Sequence, residues 1–411
     1  MSNIATIKMK LNVLFSGLVL ATMLAACGQA PVDPETPYVI EGELTGVSDS
    51  IVVRLFQYDG NVGTMVASDT LIDGHFRFEQ VMAESLNRMG FSVLEDGFPS
   101  MSRTIYVAPG AQIKVKGHNS HIYTWDVESK VPEQQEYEKM MQDAKADYDV
   151  YQELAIEDNR LYQEYARLRR SGDDSEETQA RIQEIRNQRK ALTEQEDSIS
   201  NIAQSKQLAA MKKLKPSQPW IEKLASLARM CMAHPDYKFR NDAIELYNSL
   251  PEDIKSSLQG QEIYAGLYPP EEAQDGADFP DATFYDLQGN EHHIAEHKGK
   301  YILLDFWSSG CGPCILAFPE MKQEYEKYQD QLAIVSMSID TDSRWRKASE
   351  KHDITWSNWN EGKGTSGLYA HYRIMGIPYY VLINPEGKIE QRMMGYGENM
   401  FTELFAELLG E

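Results

Sequence analysis

The sequence predicts a multidomain chain: a small all-β sandwich, a helical region built on a long hairpin, and a C-terminal α/β domain. Three observations predict it. Short β-rich runs separated by turn residues fill positions 38–130, and apolar residues at steps of three and four fill 131–270. From 277 to 411, strand and helix patterns alternate. A length of 411 residues suits two to three domains.

Positions 1–26 lie outside these domains. Lys8 and Lys10 precede the apolar run Leu11 to Leu24, which leads into Leu24-Ala-Ala-Cys27-Gly28. A basic segment, a short apolar run and a small-residue cleavage site describe a secretory signal peptide. The run is too short to read as a spanning helix. Leu-Ala-Ala-Cys resembles the bacterial lipoprotein box, which implies lipid attachment at Cys27 as the first residue of the mature chain. The expected location is then the cell envelope, lipid-anchored and facing the periplasm, where disulfides form and persist. Gly28 stands where Asp would resemble an inner-membrane retention signal, which points to the outer membrane. A formal charge of −23 argues against nucleic acid or an anionic membrane surface as a partner. Positions 27–37, with three prolines and no periodicity, read as a tether.

The β domain is expected from runs such as Ile51-Val-Val-Arg-Leu-Phe56 and Arg103-Thr-Ile-Tyr-Val107. Asp73-Gly74, between Thr70-Leu-Ile72 and His75-Phe-Arg-Phe78, predicts a hairpin. No residue pattern in this domain suggests chemistry. In the helical region Tyr137, Met141, Ala144, Tyr148, Tyr151, Ala155, Tyr162 and Tyr165 form one stripe. Ser171-Gly-Asp-Asp-Ser175 breaks it, and Ile182, Ile185, Leu192, Ile199 and Ile202 resume it. That is a long hairpin whose tyrosines pack against the partner helix, with a binding surface as the alternative. Pro216 and Pro219 end it, and Trp220, Leu224, Leu227 and Cys231 mark the face of a shorter helix, with Cys231 a buried thiol.

Acidic Glu271 to Asp281 opens the last domain. A turn is expected around Leu287-Gln-Gly-Asn290, strands over 301–307, 332–339, 379–383 and 388–394, and helices over 313–328, near 343–351 and 367–372, and from Glu398. The run 301–306 reads as a buried parallel strand that carries Asp305. Directly after it stands Trp307-Ser-Ser-Gly-Cys311-Gly-Pro-Cys314. A cysteine at a strand-to-helix junction sees the unpaired N–H groups and positive dipole of the helix start, which favour the thiolate. The thiolate is the attacking species in disulfide exchange, and a second cysteine two residues on can close the loop and release product. Zinc uses the same spacing but needs a second ligand pair, and only Cys27 and Cys231 remain. No metal or organic cofactor is implied.

Asp305-Phe-Trp before Cys311-Gly-Pro-Cys314, Pro319 eight residues after Cys311, and Tyr372-Arg-Ile-Met-Gly-Ile-Pro378 together resemble the TlpA/ResA-like thioredoxin-fold family. Those are membrane-anchored thiol-disulfide oxidoreductases of the bacterial envelope. With the β domain and helical region ahead of it, the chain resembles lipid-anchored envelope proteins of Bacteroidetes-type bacteria.

The resemblance implies a thioredoxin fold over the last third of the chain. It assigns Cys311 as nucleophile and Cys314 as resolving thiol, with Asp305 as proton acceptor and Pro378 as a cis proline beside the disulfide. Trp307, Gly312, Pro313 and Ile377 then adjoin the substrate. Gly312-Pro313 leans towards a reductase, since thioredoxin sits near −270 mV against roughly −120 mV for DsbA. Implied partners are disulfide-containing envelope proteins and a membrane electron donor. Gly310 departs from the family, which carries Trp before the first cysteine. Two alternatives stand beside this reading. A peroxiredoxin-like peroxidase would want Pro where Leu304 stands. The other is a binding module, with partners held by the β and helical domains.

Overall fold

The computed structural model describes residues 35–59, 62–82 and 84–410. The expected signal peptide, Cys27 and most of the tether lie outside the described residues. Among the described residues no helix is long and apolar enough to cross a membrane.

The N-terminal strands are β1 (Tyr38–Thr45), β2 (Val52–Asp59), β3 (Val62–Thr70), β4 (His75–Gln80), β5 (Asn87–Ser92), β6 (Arg103–Val107), β7 (Gln112–His118) and β8 (Asp126–Glu128). They form two sheets, ordered β4-β1-β7-β8 and β3-β2-β5-β6. Residues alternate between core and solvent along β1 and β7. The inward rows of both sheets, including Ile40, Ile113, Leu55 and Phe91, meet in one core. The fold class therefore holds, and the tight turn expected at Asp73-Gly74 forms, but its hairpin is one bridge long. Both residues take positive φ and close a single bridge between Ile72 and His75. The chain then parts, β3 into one sheet and β4 into the other. Turn chemistry is local, whereas pairing follows the sheet that buries each strand, and Leu71 is buried in the core at the crossing point.

The helical region holds α1 (Pro132–Met141), α2 (Lys145–Ser171), α3 (Glu176–Met211), α4 (Gln218–Ala233), α5 (Arg240–Asn248), α6 (Glu252–Ser256) and α7 (Leu258–Leu267). Gly172 at φ 67° ends α2, and the Ser175 hydroxyl caps α3 by accepting the Thr178 N–H. The tyrosine stripe packs more widely than expected. Tyr148 lies edge-on to Tyr123 of the β domain at 4.7 Å, and Gln152 accepts the Tyr123 N–H at 2.8 Å. The apolar seam is also interrupted. Leu161, Ile182 and Ile185 are buried near the tip and Tyr148 and Ala203 near the base, while Ile202 and Tyr162 remain 45% and 47% exposed. In between, Arg189 binds both carboxylate oxygens of Asp158 and its guanidinium lies over Tyr162.

The C-terminal domain contains β9 (Phe284–Tyr285), β10 (Glu291–His292), β11 (Tyr301–Trp307), α8 (Gly312–Tyr328), β12 (Leu332–Ser338), α9 (Asp342–His352), β13 (Ser357–Asn360), α10 (Leu368–His371), β14 (Tyr379–Ile383), β15 (Ile389–Met394) and α11 (Met400–Leu409). Its sheet runs β10-β9-β13-β12-β11-β14-β15. The central strand β11 is buried and parallel to β12, as expected, and antiparallel to β14 on its other edge. Its run of apolar residues, interrupted only by Asp305, arises because both faces are covered. Ile302, Leu304 and Phe306 pack towards α10, whereas Leu303 and Trp307 pack towards α8, α9 and α11. The domain also meets the helical region, because Glu262 of α7 accepts the Thr365 N–H at 2.9 Å and the Thr365 hydroxyl at 3.0 Å.

Candidate active site

Residues 308–310 carry the chain from the end of β11 to the start of α8, and the cysteines sit at that start. Cys311 and Cys314 form a disulfide. Cys311 is the N-cap of α8, with Pro in the first turn, where a missing N–H costs nothing. Its sulfur accepts the backbone N–H of Cys314 at 3.2 Å. That bond, with the positive end of a 17-residue helix, would hold a reduced Cys311 as thiolate. Cys311 keeps 6% exposure and Cys314 none. An incoming sulfur can therefore meet Cys311 first, while Cys314 reaches only inward or towards Cys311.

Asp305 lies beneath them. Side chains alternate along β11, so Asp305 points to the same face as Leu303 and Trp307, the face whose core contains both cysteines. It is wholly buried, and burial pushes its carboxyl up to about 7 despite the opposing Ser336 hydroxyl. Ser336, its register partner on β12, donates to Oδ2 at 2.6 Å and itself accepts the Trp356 indole N–H at 2.8 Å. Oδ1 has no hydrogen-bond partner. Across the other edge Tyr380 pairs with Asp305 in register; its phenol is buried without a partner, and burial and the Asp305 charge both push it upward. A carboxyl that titrates near neutrality, with one open oxygen, can take and return a proton.

The Ile377-Pro378 peptide is cis, and Ile377 packs against the core cluster that holds both cysteines. Gly312 and Pro313 are exposed at the rim, as a substrate-facing position requires. Trp307 is not available there. It is fully buried and packs edge-on to Phe318 at 5.2 Å, so it supports the cysteine loop from below and presents no face to a substrate. Gly310, which leaves the position before Cys311 without an aromatic wall, is half-buried. The apolar surface of α8 is supplied instead by Leu316, 69% exposed.

The sequence reading missed Ser336, Trp356 and Asp340. Asp340 accepts the Ser309 N–H at 2.6 Å and so pins the loop before Cys311; burial raises its carboxyl as well. A serine inside the otherwise apolar, fully buried strand Leu332–Ser338 was the available signal for the first. Asp340 just past that strand was the signal for the last.

Residues 299–389 match the family model described as thioredoxin-like. The thiol-disulfide oxidoreductase ResA of Bacillus cereus is 28% identical over 145 residues, which cover 34% of this chain and 83% of that protein. The thioredoxin-like protein YneN of Bacillus subtilis is 28% identical over 126 residues, 30% of this chain and 72% of that protein. Among solved structures, the thioredoxin domain of a thiol-disulfide oxidoreductase from Bacteroides vulgatus shares 30% identity, covers 32% of this chain and 96% of that one, and has a TM-score of 0.30. The C-terminal domain is thus thioredoxin-like, its relatives include ResA-type thiol-disulfide oxidoreductases, and it carries the cysteine pair such chemistry needs.

Proposed function

We propose that this protein reduces disulfides of cell-envelope proteins, with Cys311 as nucleophile, Cys314 as resolving thiol and Asp305 as the proton acceptor. The observation that carries the reading is the asymmetry of the pair: one sulfur at the rim on a helix N-terminus, the other buried in the core on the face of β11 to which Asp305, a carboxyl near neutrality, also points. The Cys311 thiolate attacks one sulfur of a substrate disulfide. That S–S bond breaks, its other sulfur leaves as a thiolate and takes a proton from solvent, and a mixed disulfide remains. Cys314 passes its proton to Asp305 and attacks Cys311. The second substrate thiolate leaves, and two electrons have moved to the substrate. Returning the Cys311–Cys314 disulfide to the dithiol requires a dithiol donor, for which a membrane electron donor is the fitting class. Pro378 and Ile377 would line the substrate's approach beside Gly312 and Pro313.

The envelope setting is supported by the leader pattern and by Leu24-Ala-Ala-Cys27, the proposed lipid-attachment site on the outer membrane. Cys27→Ala would then shift the protein from the membrane fraction to the soluble one; continued membrane association would remove the anchor from the account. The redox direction is tested by equilibrating the cysteine pair with thiol buffers and reading it by alkylation mass shift. A potential below about −220 mV supports a reductase, and one between about −120 and −180 mV makes it an oxidase or isomerase.

A further inference from the structure

Between the β domain and the helical region lie two adjoining cavities of about 340 Å³ and 210 Å³, which share Arg88, Tyr106, Glu222 and Arg229 in their walls. Strand parity builds one side. Ile105 and Val107 of β6 point into the sandwich core, so Thr104 and Tyr106 point out towards the helices. Helix α4 builds the other side. Its Trp220, Leu224, Leu227 and Cys231 face the helical core, which leaves Pro219, Glu222, Lys223, Ser226 and Arg229, at steps of three and four, facing the smaller cavity.

The charges in that cavity do not balance. Glu222 is already satisfied: it accepts the Tyr106 hydroxyl at 2.8 Å, an Arg88 N–H at 3.3 Å and the Gln218 amide at 3.0 Å. Lys223 and Arg229 have no hydrogen-bond or ion-pair partner among the described residues. Burial pushes the Lys223 amine down to about 8, and burial and Arg88 lower Arg229 against the opposing pull of Glu262, Tyr369 and Glu222. Two half-buried cations without a hydrogen-bonded or ion-paired partner are costly, and out of character in a chain of net charge −23. The remaining walls are soft and apolar: the rings of Tyr123 and Tyr137 and the side chains of Met140, Met141 and Met211.

We infer that the smaller cavity is a binding site for a small organic anion, a carboxylate on a flat or compact apolar body. Lys223 and Arg229 take the carboxylate, and the tyrosine and methionine walls take the body. At about 210 Å³ the cavity suits a single ring. Its walls come from two domains, so the ligand also joins them. None of its residues belongs to the cysteine site, and the inference stands whether or not the redox reading does.

The test titrates the full chain with 4-hydroxybenzoate, using 4-hydroxybenzamide as the uncharged counterpart, by ligand-observed saturation-transfer NMR. Saturable binding of the acid and much weaker binding of the amide are expected. Lys223→Met and Arg229→Met should each weaken the acid at least about tenfold, while Arg229→Lys retains most of the affinity. Removing a half-buried cation that has no hydrogen-bonded partner should not lower Tm, so loss of binding in these variants is readable as loss of a contact. Equal binding of acid and amide, unchanged binding in both methionine variants, or no saturable binding below about 10 mM overturns the site.

Discussion

The surroundings of the disulfide and the middle of the α2–α3 hairpin both hold polar groups where an apolar seam would be simpler, and they treat them in opposite ways. On the hairpin the charged groups of this stretch are mostly paired, Arg189 with Asp158 and Arg181 with Glu164 and Glu184, and the buried exceptions are Glu196 Oε1 and Gln204 Nε2. Beside the disulfide several polar groups are buried and left open: Asp305 Oδ1, the Trp307 indole N–H, the Ser308 hydroxyl and the Tyr380 phenol have no partner among the described residues. Paired surface charges contribute little and can be exchanged. A buried orphan is costly, and a cluster of them around one dithiol fits the proposed redox role of the site. The difference separates polarity that serves folding from polarity that serves the reaction.

Substitutions in the two regions should therefore differ in kind. The largest effect is expected at the cysteines. Cys311→Ser should abolish disulfide exchange, whereas Cys314→Ser should still attack and accumulate a mixed disulfide at Cys311, seen by mass spectrometry of the trapped adduct. Adduct at Cys314 in the Cys311→Ser protein would reverse the assigned roles. Next comes Asp305→Asn, expected to slow turnover by about 10²-fold in a stopped-flow assay while leaving the disulfide able to form.

The same change should alter stability with a defined sign. The folded carboxyl near 7 stands above its ordinary 3.8, so the unfolded chain loses this proton first and stability falls as pH rises from about 4 to about 7. The loss is on the order of 4 kcal/mol, complete above pH 7. Asp305→Asn should thus be more stable than the native protein at pH 8 and no more stable at pH 4. Urea unfolding of the oxidised forms, followed by tryptophan fluorescence, checks it; a pH-independent difference would mean that Asp305 is ionised throughout.

Ser336→Ala should act in the same direction more weakly, raising the Asp305 carboxyl further and slowing exchange several-fold at pH 7, visible as a shift of the pH–rate curve. The smallest effect belongs to the hairpin. Arg189→Met should cost about 1 kcal/mol or less and leave exchange kinetics unchanged. A kinetic effect there would erase the distinction between the two regions.

Much of the redox site was legible because its signals are local. Cys311, Cys314 and Pro313 are fixed by spacing and by a helix start, and Asp305 by its place in an apolar run. What escaped was set by pairing between strands. Ser336 and Tyr380 meet Asp305 only because β12 and β14 flank β11 in that register, and a strand's neighbours cannot be read from its own residues. For the same reason Asp73-Gly74 announced a turn but not that its two strands join different sheets. The family resemblance sets Trp307 beside the substrate, whereas the alternation of β11 directs it inward.

The most direct test of the account is the pH dependence of disulfide exchange in the native protein and in Asp305→Asn. The account predicts that the native rate rises with an inflection near pH 7 and that the variant, slower throughout, lacks it. An unchanged inflection in the variant would show that Asp305 does not handle the Cys314 proton and that its burial serves the fold alone.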